Sequence, residues 1–382
     1  ILFFGKGSPV LYSQDYLANV EFYNDKNGLA GKYANCTFKD SRGIIWIGTQ
    51  FGLNRFDGRD FLLFDETTGL PFNQVMQINE DSEGWLWLYR HCHDKRSCTR
   101  DLAFIHSITH EVRTFEEHFG TQVNFKPEDI YSIIKDEDGN IFFSAKKQVI
   151  QWSEGKIKRT IDLSDWEDTA VLLCILEKDK LVGWSHLINK NGEAAFRYAV
   201  FDLEGKVLHT QILPNSYSNH GLNALFLTNN DTEGERRVCY DAYFGFSEGH
   251  FILSEEGKLL KDSSNWATFP NPEYFYYNPV RPHAWQEIYD GNFHVYAASE
   301  GLIYDFRNEF PLLNRNLHLR EIFFDSHDVV WLSGRYGVFR IQFKPNLFQR
   351  ILHNHPSDLE SQNNYIGQGI IAMGEERLLL ST

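Results

Sequence analysis

Four stretches of this chain repeat one pattern, and that pattern dictates a hairpin. Asp40-Ser41-Arg42-Gly43-Ile44-Ile45-Trp46 returns 41 residues later as Asp81-Ser82-Glu83-Gly84-Trp85-Leu86-Trp87. A third copy, Asp136-Glu137-Asp138-Gly139-Asn140-Ile141-Phe142, follows after 55 more residues, and a degenerate one is Asp325-Ser326-His327-Asp328-Val329-Val330-Trp331. An Asp side chain bonds readily to backbone two residues on, and Gly supplies the positive φ of a tight turn. Each copy therefore predicts a strand, a turn, and a second strand that carries a large aromatic side chain. After the first copy, Gly52 to Gly58 and Phe61 to Phe64 supply a third and a fourth strand. Four short strands in a unit of about 40 residues describe a propeller blade.

Extending that period predicts an all-β chain, a seven-bladed β-propeller of four-stranded blades. The blades fall near 33–64, 72–115, 127–161, 168–213, 221–264, 283–313 and 317–352. In the fourth unit Glu177-Lys178-Asp179-Lys180 replaces the Asp-x-x-Gly turn, and in the sixth Tyr289-Asp290-Gly291-Asn292 shortens it. Asn19-Val20-Glu21-Phe22-Tyr23 reads as an outer strand that closes the ring from the other end, as a propeller must hide its last edge. Residues 353–382 read as the start of a further blade or of a second propeller, with strands at Ile370 to Met373 and Leu378 to Thr382. Residues 1–18 are a signal remnant or a disordered start, leaving 19–352 as the propeller.

Composition supports sheet over helix. The 31 Phe, 18 Tyr and 9 Trp suit a pleated, half-buried surface, and only 2 Met accompany them. A net charge of −15, with no Lys/Arg cluster interleaved with aromatics, argues against nucleic-acid contact. No apolar run approaches the ~20 residues of a membrane-spanning helix. Of five Cys, Cys36, Cys174 and Cys239 lie in apolar strand-like runs and read as small core residues. Cys92 and Cys98 flank a polar loop, where a disulfide, two free thiols and a His/Cys metal site stay open; His91 and His93 lack the paired spacing of a zinc finger. No cofactor motif occurs.

The run from Asp40 to Gly58, followed by Gly69-Leu70-Pro71-Phe72-Asn73-Gln74-Val75, resembles the two-component-regulator propeller repeat. That repeat builds the extracytoplasmic sensors of hybrid sensor histidine kinases of the Bacteroidetes type. The resemblance implies a periplasmic part of an inner-membrane protein that senses a ligand and catalyses nothing itself. It also implies a second propeller, a membrane-linked kinase and a transcriptional output elsewhere in the full-length protein. Pro356 to Asn364 resembles the family's junction before a new blade.

Blade geometry places the Asp-x-x-Gly turns on one face and the connections between second and third strands on the other. Those connections read as Thr49-Gln50-Phe51, Tyr89-Arg90-His91, Ala145-Lys146-Lys147, Trp184-Ser185-His186, Asp241-Ala242-Tyr243 and Gly334-Arg335-Tyr336. Gln50, Arg90, His91, Lys146, Trp184, Arg335 and Tyr336 are the candidate ligand residues. Aromatic faces beside Arg, Lys and Gln donors suit an oligosaccharide, and local positive charge favours an anionic one. The polar rim common to any propeller is the plainer reading of each. Trp46, Trp87, Phe142 and Trp331 read as packing between sheets, and Asp40, Asp81 and Asp136 as turn formers. A propeller glycan hydrolase or lyase is the first alternative, with Glu300, Asp241, His91 and Tyr336 of suitable type but unpaired by spacing. A protein-interaction propeller is the second, and a homodimer is compatible with all three.

Overall fold

The structure, a computed structural model, describes residues 16–90, 99–136, 138–164, 172–177, 180–188, 194–214, 222–227, 236–242, 250–253, 259–261, 274–277, 283–287, 293–297, 301–305, 319–326, 329–345, 369–372 and 378–381. Among these residues strands form seven four-stranded antiparallel sheets and one two-stranded sheet. The chain is an all-β propeller. The first blade comprises Ala34–Lys39, Ile45–Thr49, Gly52–Phe56 and Phe61–Phe64. The second comprises Gln77–Glu80, Trp85–Arg90, Asp101–His106 and Val112–Arg113, and the third Ile130–Lys135, Ile141–Ala145, Gln148–Ser153 and Lys156–Asp162. The fourth, fifth and sixth follow over 172–214, 222–261 and 274–305. The first strands of the first five blades lie beside one another in succession, and that of the seventh lies against that of the first. Tyr16–Pro345 make up one compact unit, and the two-stranded sheet of Gly369–Ala372 and Leu378–Ser381 belongs to another.

The repeated turn works through the aspartate. Asp40 Oδ1 accepts from the amides of Arg42 (3.0 Å) and Ile44 (2.9 Å), while Oδ2 accepts from the Trp46 indole at 3.0 Å. Asp81 repeats this with Glu83, Trp85 and the Trp87 indole. Asp325 accepts from the Trp331 indole at 3.2 Å. In the third blade the Phe142 side chain has no N–H to give, and Asn140 Nδ2 supplies the bond to Asp136 at 2.7 Å. Gly43, Gly84 and Gly139 have φ of +88°, +84° and +81°, the left-handed region the turn requires. One short motif thus sets the turn and orients the aromatic six residues on.

Those aromatics then weld neighbouring blades. Trp46 packs in a cluster with Leu86, Leu88 and Ile105 of the second blade, and Trp87 with Phe143, Ile150 and Trp152 of the third. Phe142 meets Leu181 and Phe201 of the fourth, and Trp331 meets Ile45, Ile47 and Phe56 of the first. Each buried aromatic removes roughly 150–250 Å² from water, which makes these wedges the main cohesive contact between sheets.

One blade boundary agrees with the sequence reading of ring closure and another differs from it. The outer strand of the seventh blade is Tyr16–Tyr23, which pairs along its length with Gly337–Pro345. The ring is therefore closed by the strand that the sequence reading placed at Asn19 to Tyr23, and residues 346–352 of the seventh unit lie outside the described residues. The sixth blade begins at Tyr274–Tyr277 and ends with Gly301–Asp305, where the reading had placed 283–313. Its first connection carries Pro279 and Pro282 in place of Asp-x-x-Gly. Asp290-Gly291 instead falls between its second and third strands, so the template slid by one strand.

Candidate ligand-binding face

Because strands alternate in direction, each second-to-third connection shares a face with the link from one blade to the next. The two kinds of segment meet where the seventh blade abuts the first. The backbone amide of Gln50, in the turn after Ile45–Thr49, donates to the Tyr33 carbonyl at 3.4 Å. Tyr33 precedes the first strand, and its hydroxyl accepts from Arg335 Nε at 3.3 Å. The Arg335 guanidinium carbon lies 5.9 Å from the centre of the Tyr33 ring. The bond to Tyr33 raises the Arg335 pKa further above its ordinary value, so the group stays cationic. Phe51 packs against Gly31 and is 56% exposed, and Tyr336, beside Arg335, is 44% exposed. Two open aromatic rings thus border a cation and the exposed Gln50.

Below this seam the first strands hold polar contacts of their own. Thr37 N donates to Glu321 Oε2 at 2.5 Å, and the Thr37 and Ser333 hydroxyls share a hydrogen bond of 2.6 Å. Lys39 Nζ pairs with Asp325. Burial pushes the Glu321 carboxyl up from 4.5 to about 7, only partly opposed by the Thr37 amide. The Cys36 thiol is raised as well, first by burial and then by Glu321.

The remaining sequence candidates are spread around the same face. Arg90, at the end of Trp85–Arg90, is engaged within the protein: Nε donates to the Thr99 carbonyl at 2.9 Å, Nη2 meets Asp101 Oδ2 at 3.3 Å, and the guanidinium covers the Phe72 ring at 4.7 Å. Lys146 occupies the turn after Ile141–Ala145 with φ of +53°, its Nζ 3.5 Å from Asp129 Oδ2. Trp184 is not in a connection. Strand Lys180–Ile188 continues past it, and its backbone pairs with Leu172 on one side and Tyr198 on the other. The nine-residue strand is longer than the template allowed. Ser185 and His186 share that strand. His91, Cys92 and Cys98 lie outside the described residues. The structure therefore joins Gln50, Arg335 and Tyr336 in one patch and leaves Arg90 and Lys146 on other blades.

Tyr33 and Phe51 were absent from the candidate set, as were Arg100 and Tyr131, whose guanidinium and ring stack at 4.6 Å. Tyr33 and the loop of Arg100 lie on the same face by strand alternation. Counting the residues just ahead of each first strand, as well as the second-to-third connections, would have found Tyr33. Among the described residues no group of three or more His, Cys, Asp or Glu is placed to hold a metal ion, and no helix is long and apolar enough to cross a membrane.

With this geometry in view, residues 28–51 match the two component regulator propeller, a stretch spanning Gly28, the first strand, the Asp40 turn and the second strand. The first copy of the repeat is thus similar to the two-component-regulator propeller repeat. Solved structures carry the same fold. The extracellular domain assigned to a hybrid two component system of B. thetaiotaomicron superposes with a TM-score of 0.61 at 14% identity, covering 95% of this chain and 46% of that one. An extracellular domain assigned to a one component system of B. thetaiotaomicron gives 0.52 at 15% identity, covering 84% and 39%. PorZ, a surface component of the type-IX secretion system of Porphyromonas gingivalis, gives 0.52 at 11% identity, covering 83% and 47%. The chain thus spans less than half the length of each of these structures. No curated protein matches the chain.

Proposed function

We propose that this propeller is the extracytoplasmic, periplasmic sensing part of a hybrid two-component signalling protein and that it recognises an oligosaccharide without turning it over. The observation that carries this reading is the patch at the closing seam, where Phe51 and Tyr336 expose their rings beside Arg335 and Gln50. Aromatic faces take the apolar face of a pyranose, and a guanidinium and an amide serve its oxygens. The regulator repeat and the likeness to extracellular domains of B. thetaiotaomicron regulators support the sensing role. In the full-length protein the partners are a second propeller and a membrane-linked kinase that drives transcription.

The test is calorimetry of the full 382-residue chain against oligosaccharides of plant, algal and host glycans, with product analysis of each mixture. Binding of at least one oligosaccharide with no cleavage is expected. A chain that binds none of them, or that shortens one catalytically, would overturn the proposal.

A further inference from the structure

Two candidate cations of this face, Arg90 and Lys146, are already neutralised. Arg90 has Asp101 at 3.3 Å and Lys146 has Asp129 at 3.5 Å, while Arg100 donates to the Glu128 carbonyl and covers the Tyr131 ring. Arg335 differs. Among the described residues no carboxylate lies within ion-pair distance of it, and its fork is held by a neutral group, the Tyr33 hydroxyl, through Nε. Tyr33 itself is fixed through its carbonyl by the Gln50 amide. The guanidinium is therefore oriented through Nε, which donates to the Tyr33 hydroxyl, on an exposed residue. In a chain of net charge −15, such an unneutralised and oriented guanidinium stands out from its acidic background.

We infer that the seam patch selects an anionic saccharide, taking the carboxylate or sulfate of one sugar residue on Arg335 while Phe51 and Tyr336 cover its rings. The inference rests on the oligosaccharide reading above and narrows it to a charged class. A planar fork matches two oxygens of an oxyanion at once, which lysine does not do. Carboxylate and sulfate ester present the same oxygen pair, and both are carried by glycans. Gln50 reaches the same ligand's hydroxyls from the first blade, so the ligand bridges the two blades whose contact closes the ring.

The experiment titrates the full chain with trigalacturonate, its fully methyl-esterified form, a heparan sulfate tetrasaccharide, and neutral xylo-, arabino- and manno-oligosaccharides. Binding of the galacturonate or the sulfated probe is expected, with no neutral probe tighter. Esterification should weaken a galacturonate complex tenfold or more, and added salt should weaken either acidic complex. Binding of only the sulfated probe would assign the oxyanion to sulfate, and loss on esterification would assign it to carboxylate. Arg335→Gln should cost tenfold or more against the acidic probe and less than twofold against the ester, at an unchanged melting temperature. Tyr33→Phe, which keeps the ring and removes the hydroxyl, should give an intermediate loss against the acidic probe alone. Tightest binding to a neutral probe, or equal acidic binding by parent and Arg335→Gln, would overturn the inference and leave the oligosaccharide reading standing. Failure of every probe would defeat both.

Discussion

Replacing Glu321 by Gln should make this propeller more stable at neutral and alkaline pH, although it removes a charged residue from the ring-closing contact. Glu321 belongs to Leu319–Ser326, and its carboxyl accepts from the Thr37 amide across the seam at 2.5 Å. The nearby cation Lys39 is paired with Asp325, and the only other resolved influence on Glu321 is that amide. Burial therefore dominates and lifts the carboxyl from 4.5 to about 7. With the folded pKa above the unfolded one, the native state holds the proton more tightly. Stability from this group is present below about 4.5 and is lost as pH rises through about 7. A shift of this size amounts to about 3 kcal/mol.

Gln keeps an oxygen for the Thr37 amide and never ionises. Urea unfolding of parent and Glu321→Gln from about pH 4 to about pH 9 should give curves that coincide at the acid end and separate by about 2–3 kcal/mol above pH ~8, the variant being more stable. Hydrogen exchange of the Thr37 amide supplies a local readout should the blades unfold in separate steps. A difference that does not vary with pH, or a variant less stable at the alkaline end, would refute the account of a desolvated carboxyl.

The other expectations concern the repeated turn and a buried histidine. Gly43→Val should cost about 1–3 kcal/mol through its positive φ, since Lys39 Cε at 3.8 Å leaves room for a Cβ. A melt matching the parent would sink that assignment. Asp81→Ala removes the acceptor of two amides and of the buried Trp87 indole, and a loss of about 2–4 kcal/mol in denaturant unfolding is expected. Asn140→Ala in the third blade should cost about 1 kcal/mol, because only one bond to Asp136 depends on its side chain and Phe142 has no indole to orphan. Burial among Trp85, Trp87, Phe104 and Trp152, with Arg113 adding to it, lowers the His118 pKa from 6.5 to about 3. Its neutral form is favoured in the fold, so stability falls as pH drops from 6.5 towards 3, and His118→Phe should flatten that acid limb in a pH series of melts.

What the sequence made legible is what depends on neighbours along the chain. Asp40 meets Arg42, Ile44 and Trp46 within seven residues, so a single heptapeptide states its own turn, its strand pair and the direction of its wedge. Repetition of the heptapeptide then implies a ring of such units, and the resemblance to the regulator repeat agrees with it. The indole bond itself escaped notice, although the Trp-to-Phe change at Phe142 arrives together with Asn140 and so carries its own signal. The sixth blade lacks the heptapeptide, and with no local anchor the strand count drifted by one.

The candidate site was less legible for the opposite reason. Arg90 and Arg335 occupy equivalent places in their blades and look alike in sequence, yet Asp101 and Thr99 absorb the first while Tyr33, some three hundred positions away, orients the second. Closure by Tyr16–Tyr23 is what makes that distance short, because it holds the seventh blade against the first. The orientation of Arg335 is thus a product of ring closure, and the seam that creates it is also the seam that buries Glu321. A ligand bridging Arg335 and Gln50 would add its binding free energy to that same contact. Ligand and Glu321→Gln should then stabilise the propeller together and to similar degree whether applied in either order, since each acts on the first and seventh blades without touching the other's atoms.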